Sequence, residues 1–213
     1  MSALPGGIPK VFHRIWLGSA VPDEVEQFGR AWLDLHPGWT LHTWREWDMP
    51  ALRNQFWFDR GSSYASQADI ARLELLYRFG GVYVDTDQEP LRSIEELIAH
   101  AGCFFGSEDG QWLGTSIIGC APQHPFLAQL IDGVPDSILT NVDASPNVQT
   151  GPQYVTKQWM EYKEKHDDAD IAVFPSAIFY PYHFSEPERA GGPFPDAYAV
   201  HHWAKTWVDR DDG

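Results

Sequence analysis

The chain has little cysteine, few basic residues and no long apolar run. Two cysteines, Cys103 and Cys120, among 213 residues are too few for a disulfide framework. Both lie in apolar, strand-like stretches and read as buried free thiols. Lys and Arg total 15 against 30 Asp and Glu, a formal charge of −15, and the basic residues are scattered. A field of that sign repels phosphate backbones and anionic surfaces, which excludes nucleic acid as a partner. No apolar run approaches the ~20 residues needed to span a bilayer. The first residues lack the basic start and apolar core of a signal peptide. A soluble, cytoplasmic protein with no membrane span is therefore the expectation. Internal repeats and low-complexity tracts are absent.

What is present is ordinary globular material, 43% apolar and 21% charged. The length suits one α/β domain over residues 1–213. Ten Trp, eight Tyr and twelve Phe are many for this size. Such rings build cores, and they also line clefts that cover a flat base or a sugar face.

Residues 10–17 (KVFHRIWL) form a β-rich apolar run, the first strand of a buried sheet. Asp23 is placed to cap a helix ending near Leu35, and residues 39–44 alternate as a second strand. Residues 65–79 give the clearest helix, with Ile70, Leu73, Leu76 and Tyr77 at helical spacing and Gly80-Gly81 to stop it. A short apolar strand, 82–85, follows. Further strands are predicted over 102–106, 116–120, 171–174 and 197–203, and helices over 93–100, 125–133 and 152–166. Residues 132–146 and 185–195 carry turn formers and read as surface loops or lids; 209–213 read as a frayed acidic end. Strands alternating with helices predict an α/β sandwich with a mostly parallel central sheet flanked by helices. Ligands of such sheets collect beyond the carboxyl ends of the strands.

Asp85 and Asp87 fall at that place. The run Gly80-Gly81-Val82-Tyr83-Val84-Asp85-Thr86-Asp87 delivers two carboxylates into the turn after a buried strand. Hard cations such as Mn²⁺ and Mg²⁺ take oxygen ligands, so these acids suit a metal that also holds phosphates; alone, Asp-Thr-Asp reads first as a turn sequence, and its context reverses that. In the preceding helix Asp69 and Arg72 share one face. They read either as a surface ion pair or as a grip on sugar hydroxyls and phosphate.

Residues 66–87, SQADIARLELLYRFGGVYVDTD, resemble the signature of the DXD-motif sugar transferases. That family includes fungal initiating mannosyltransferases, capsular polysaccharide transferases and, more distantly, the large clostridial glucosylating toxins. Residues 8–18 (IPKVFHRIWLG), 115–125 (TSIIGCAPQHP) and 201–207 (HHWAKTW) resemble its opening strand, central strand and closing motif, in the same order. The resemblance implies a GT-A nucleotide-diphospho-sugar transferase fold and retaining, metal-dependent transfer of a hexose. The donor is implied to be a UDP- or GDP-sugar and the metal Mn²⁺ or Mg²⁺. A glycan, a small molecule or a protein remains open as acceptor. Trp16 is implied to lie against the base, with Leu17 nearby through its backbone. Asp69 and Arg72 bind donor-sugar hydroxyls on this reading. Asp85 faces ribose and sugar and holds a metal-bound water, while Asp87 ligates the metal.

The closing motif is implied to reach metal and diphosphate, with Trp207 donating its indole N–H to a phosphate oxygen and Lys205 beside it. In a strand His201 and His202 point to opposite faces, so one of them reaches the metal. His201 matches the motif better; a purely structural His201 is the other reading. For Trp16 and Trp207 the other reading is aromatic core. Glu108 and Asp109 fit either an acceptor-orienting pair or a solvated loop. Thr115 stands where many relatives carry Asn, and Lys205-Thr206 where Gly-Ser is usual, so the resemblance does not specify the sugar. Two alternative functions remain: a metal-dependent nucleotide-sugar hydrolase and a non-catalytic sugar-nucleotide-binding module.

Overall fold

The computed structural model describes residues 7–166 and 170–204. Its centre is a six-stranded sheet made by β1 (Val11–Ile15), β2 (Thr40–Trp44), β3 (Gly81–Val84), β5 (Cys103–Ser107), β6 (Leu113–Cys120) and β7 (Ile171–Phe174), in the spatial order β2-β1-β3-β6-β5-β7. β6 is antiparallel to both its neighbours, and the other five strands point one way. β4 (Gln88–Pro90) and β8 (Ala199–His201) form a separate antiparallel pair.

Helices cover both faces. α3 (Tyr64–Phe79), α5 (Pro125–Thr140) and α7 (Pro152–Lys163) bury a core with Ile70, Leu73, Tyr83, Phe105, Ile118 and Phe126. On the other face α1 (Asp23–Leu35), α4 (Glu95–Ile98) and α8 (Ser176–Phe179) enclose Phe12, Trp32, Val82, Val84, Phe104 and Phe179. The pleat of β3 sends Val82 and Val84 one way and Tyr83 the other, so one strand serves both cores. Short helices α2 (Gln55–Phe58) and α6 (Pro146–Gln149) complete the order.

α3 sets the geometry of everything that follows. Ser63 accepts from the Ser66 N–H at 3.2 Å, and Ser66 Oγ accepts from the Ser63 N–H at 3.1 Å, a reciprocal cap. At its end Gly80 and Gly81 take φ of +63° and +98°, and a Cβ on Gly81 would lie 2.5 Å from the Val11 carbonyl. Only glycine fits such a conformation and approach, so the helix turns directly into β3.

Four expectations need correction. Cys103 and Cys120 are not free thiols: they are directly opposed in the β5–β6 ladder and form a disulfide. The register of the hairpin brings two residues 17 apart in sequence face to face. Residues 132–140 are not loop but the second half of α5, held by buried Ile131 and Val134 although Pro135 lies inside the helix. Proline has no N–H to bond one turn back, and apolar burial offsets that loss. Pro22 rather than Asp23 occupies the cap of α1, and Asp23, Glu24 and Glu26 instead sit in the first turn, where the helix dipole favours acids. In residues 185–195 a 3₁₀ turn, Pro187–Arg189, interrupts the expected loop.

Closing a loop of this length removes chain entropy from the unfolded state worth about 3 kcal/mol. The double substitution Cys103→Ser, Cys120→Ser should lower the free energy of urea unfolding by about that amount. Equal stability of the two chains under non-reducing conditions would show that the bridge contributes nothing.

Candidate active site

β1 and β3 run parallel with Phe12 and His13 opposite Val82 and Tyr83, so both strands end at one edge of the sheet. The antiparallel β6 reaches that edge with its beginning: the Asp85 N–H donates to the Ser116 carbonyl at 2.7 Å. Asp85 thus sits at the junction of β3 and β6. Tyr83, one pleat back on the α3 face, donates its hydroxyl to Asp85 Oδ1 at 2.7 Å.

Arg72 comes from α3 onto the same carboxylate. Its guanidinium lies 3.3 Å from Asp85 and 3.2 Å from Asp69, donates to the Thr115 carbonyl at 2.5 Å and to the Ala68 carbonyl at 3.2 Å, and covers the Tyr83 ring at 4.5 Å. It is no surface pair: Asp69 and Arg72 are both buried. Burial acts against the Arg72 charge, but Asp85, Tyr83 and Asp69 outweigh it and raise its pKa. Asp69 also accepts from the Thr150 hydroxyl at 3.2 Å. Burial pushes Asp69 up to about 6, despite Arg72, and Asp85 adds to the push.

The third member arrives through the small sheet. Asp87 precedes β4, and Gln88 pairs with His201 of β8. His201, the last residue of β8, faces inward, and His202, just past the strand, faces away. His201 Nε2 lies 3.3 Å from Asp87 and 3.9 Å from Asp85, whereas His202 pairs with Glu89 at 2.7 Å and stacks on Phe28. The backbone of Ala204 donates to Asp87 Oδ2 at 2.8 Å, and that of His202 to the Asp87 carbonyl at 3.1 Å. Burial opposes a proton on His201, yet Asp87, Asp85 and Glu108 prevail and raise its pKa. Burial likewise opposes ionisation of Asp87, but His201 and the backbone N–H of Ala204 hold its pKa down.

Sequence reasoning left open which way Glu108 faces. It lies just past β5, near enough to His201, Asp85 and Asp69 to feel their charges, and burial pushes it up to about 7. Four carboxylates therefore crowd around one guanidinium and one imidazole. Missed altogether were Tyr83, Thr150, Tyr180 and Trp203. Tyr180 meets His201 edge-on, and Trp203 packs on it with ring centroids 4.3 Å apart. Trp203 holds the left-handed conformation, φ +55°, uncommon for a bulky residue. A positive φ at Trp leaves no mark in sequence.

The donor set fits a divalent cation. One oxygen each from Asp85 and Asp87 and one nitrogen of His201 all lie within 4.8 Å of one another. Two hard oxygens and an imidazole suit Mn²⁺ and accept Mg²⁺, and the surplus of negative charge around them favours a cation. His201 Nδ1 is buried with no hydrogen-bond partner among the described residues. Trp16, half-buried, follows β1 at the same sheet edge; its N–H meets the Trp44 carbonyl, and its indole donates to the Ser19 carbonyl at 3.1 Å. The Leu17 side chain is core, which leaves its backbone to face outward contacts. Lys205 and Trp207 lie outside the described residues.

The fold is that of GT-A glycosyltransferase domains. The chain superposes on the structure named PaToxG Glycosyltransferase with a TM-score of 0.61, covering 73% of this chain and 70% of that one at 14% identity. Residues 22–103 match the family described as glycosyltransferase sugar-binding region containing DXD motif. Inositol phosphoceramide mannosyltransferase 3 of Schizosaccharomyces pombe is 26% identical across 92% of this chain and 60% of its own length. Uncharacterized glycosyltransferase L373 of Acanthamoeba polyphaga mimivirus is 25% identical across 94% of this chain and 84% of its own. This chain thus spans about three-fifths of the fission-yeast protein. No helix among the described residues is long and apolar enough to cross a membrane.

A proton on His201 competes with a cation for Nε2, and the raised pKa moves that competition above 6.5. Mn²⁺ affinity measured by calorimetry should therefore climb with pH by up to ~10-fold per pH unit while His201 is protonated, and keep climbing past pH 6.5. His201→Gln should flatten the climb; an unchanged slope in that variant would remove His201 from the site. Asp69 gives a second test. Its folded pKa lies above the ordinary value, so the fold holds this proton more tightly than the unfolded chain and loses stability as pH rises from about 4 to 6. Asp69→Asn should then melt at pH 7.5 no lower than the native chain. A large drop would mean that Arg72 contributes more to the charged form than burial removes.

Proposed function

We propose that this chain transfers a hexose from a nucleotide-diphosphate donor, UDP- or GDP-linked, to an acceptor hydroxyl with a divalent cation, Mn²⁺ or Mg²⁺. The observation that carries this is the convergence of Asp85, Asp87 and His201 beside the buried Arg72–Asp69 pair. Such a cation, when bound, would offset diphosphate charge and assist the leaving group as a Lewis acid.

The remaining roles fall to side chains. Arg72, pinned by two carboxylates and a carbonyl, cannot rotate away, so it and Asp69 present a fixed donor–acceptor edge to the hydroxyls of the donor sugar. Preorganisation of that kind lowers the barrier because little rearrangement accompanies the development of positive charge at the anomeric carbon. Trp16 lies against the base and Leu17 contacts it through its backbone; Lys205 offsets diphosphate charge, and Trp207 donates its indole N–H to a phosphate oxygen. We assign retention of configuration: the acceptor oxygen attacks the anomeric carbon from the side the diphosphate leaves, the carbon–oxygen bond to the diphosphate breaks, and its oxygen takes the acceptor's proton. The hexose assignment draws support from the mannosyl group in the fission-yeast relative's name. The disulfide favours an oxidising compartment over the cytoplasm expected from composition.

UDP or GDP with Mn²⁺ at ~100 times its dissociation constant should stabilise the fold by about 2.7 kcal/mol in thermal unfolding, and a chelator should abolish the shift. Asp87→Ala should keep the fold, lose the metal-dependent shift and lower transfer by about 10²-fold or more. Undiminished transfer by that variant would sink the metal assignment. Sugar released only to water, whatever acceptor is offered, would make the chain a hydrolase.

A further inference from the structure

One groove of the molecule lies apart from the acid cluster. It lies between α5 and α7, with a volume of about 780 Å³. Trp112, Gln153, Lys157, Gln158, Asp132 and Asp136 are among its lining residues. Within it α7 comes close to α5 at Gly133: a Cβ there would come within 2.6 Å of the Tyr154 hydroxyl, which bonds the Leu130 carbonyl. Glycine inside a helix costs about 1 kcal/mol relative to alanine, and Pro135 two residues on adds a lost backbone bond. The helix carries both of these weakening residues where it borders the groove.

Two connections join the groove to the acid cluster. Trp112 belongs to the β5–β6 hairpin, and its carbonyl accepts from the N–H of Glu108, whose carboxylate lies in the field of Asp85, Asp69 and His201. Val148 lines the groove from α6, and Thr150, two residues later, bonds Asp69. From Gln153 to Lys165 the groove follows the line of α7 outward, which at helical rise is roughly 18 Å, longer than one sugar ring.

We propose that this groove binds the acceptor and that the acceptor is a neutral sugar chain, its reactive end toward Glu108 and its remaining rings along α7. The proposal rests on the transferase reading of the neighbouring site. The lining chemistry selects the class. Amides of Gln153 and Gln158 both donate and accept, as sugar hydroxyls do. Asp132, Asp136 and Glu161 are interspersed with Lys157 and Lys165, a lining of mixed sign with one acid in excess, so neither a polyanion nor a polycation is favoured. The Trp112 indole supplies the flat apolar face on which a pyranose ring stacks. An apolar peptide or acyl chain would meet these polar groups without partners for them.

The test needs no knowledge of the donor. Indole N–H resonances of the ¹⁵N-labelled full chain are followed while mannotetraose, maltotetraose and cellotetraose are added separately, with Trp112→Ala used to assign the Trp112 signal. At least one sugar should shift Trp112 saturably. Ser137→Trp, which fills the groove and lies apart from the acid cluster, should weaken that binding at least tenfold. Nucleotide binding with Mn²⁺ should be equal in the native chain and in Ser137→Trp. No saturable response to any of the three sugars, or a response undiminished by Ser137→Trp, overturns the proposal. So does a Trp112 response confined to phospholipid vesicles or to an apolar peptide. If nucleotide and Mn²⁺ fail to bind while the sugars still do, the transferase reading falls and the groove stands.

Discussion

The guanidinium of Arg72 is the constraint on which the rest of the site depends. It is buried, and Asp69, Asp85 and the carbonyls of Ala68 and Thr115 hold it in place. Those partners belong to α3, to the end of β3 and to β6, so one side chain joins a helix and two strands at the point where ligands of α/β sheets collect. A buried ion pair of this kind contributes little net stability, because desolvation consumes most of the attraction. Removing Arg72 is another matter, since it leaves two carboxylates uncompensated in the interior. The cluster is therefore better understood as something the fold holds than as something that holds the fold. Apolar packing on both faces of β3 supplies the stability, and Asp69, displaced to about 6, is where part of it is given up.

Much of this was legible in the chain. The helix over 65–79, its glycine stop and the acids after β3 can be read from local pattern, because α3 is capped by its own serines and ended by residues whose backbone freedom is visible in their identity. Strands β1, β2, β5, β6 and β7 followed from apolar runs within a few residues of their observed ends. His201 was singled out by motif, but its route to Asp87 was not readable: β4 and β8 are three residues each, and nothing local tells that Gln88 and His201 pair across more than a hundred residues of chain.

The errors share a cause. The cysteines were read one at a time, as small apolar residues in separate strands, whereas their state depends on the register between those strands. Two strands predicted at 102–106 and 116–120 with a polar segment between them already suggest a hairpin, and a hairpin in this register opposes Cys103 and Cys120. The second half of α5 was lost to proline, asparagine and aspartate after residue 132, all ordinary loop signals. Burial of Ile131, Val134 and the partly buried Ile138 decided otherwise. Local chemistry was overruled by packing in one case and by pairing in the other.

The reversed strand β6 explains why this edge of the sheet is so crowded. Parallel strands bring only their carboxyl ends to it, as β1 does with Trp16 and β3 with Asp85. β6 runs the other way and brings its beginning, so Thr115 and Ser116 offer carbonyls to Arg72 and Asp85 where a parallel neighbour would already be entering its loop. The same reversal makes β5 and β6 a hairpin whose tip, residues 108–112, lies at the site, while Cys103 and Cys120 close its far end. A hairpin fixed at one end by a covalent bond and along its length by buried strands has one place left to vary, its tip. Glu108 and Trp112 are on that tip, one turned toward the acid cluster and the other toward the groove along α7. On the proposed reading, chemistry and acceptor recognition can then differ independently: the first rests on α3 and β3, buried in the core, and the second on the hairpin tip together with the faces of α5 and α7 that line the groove.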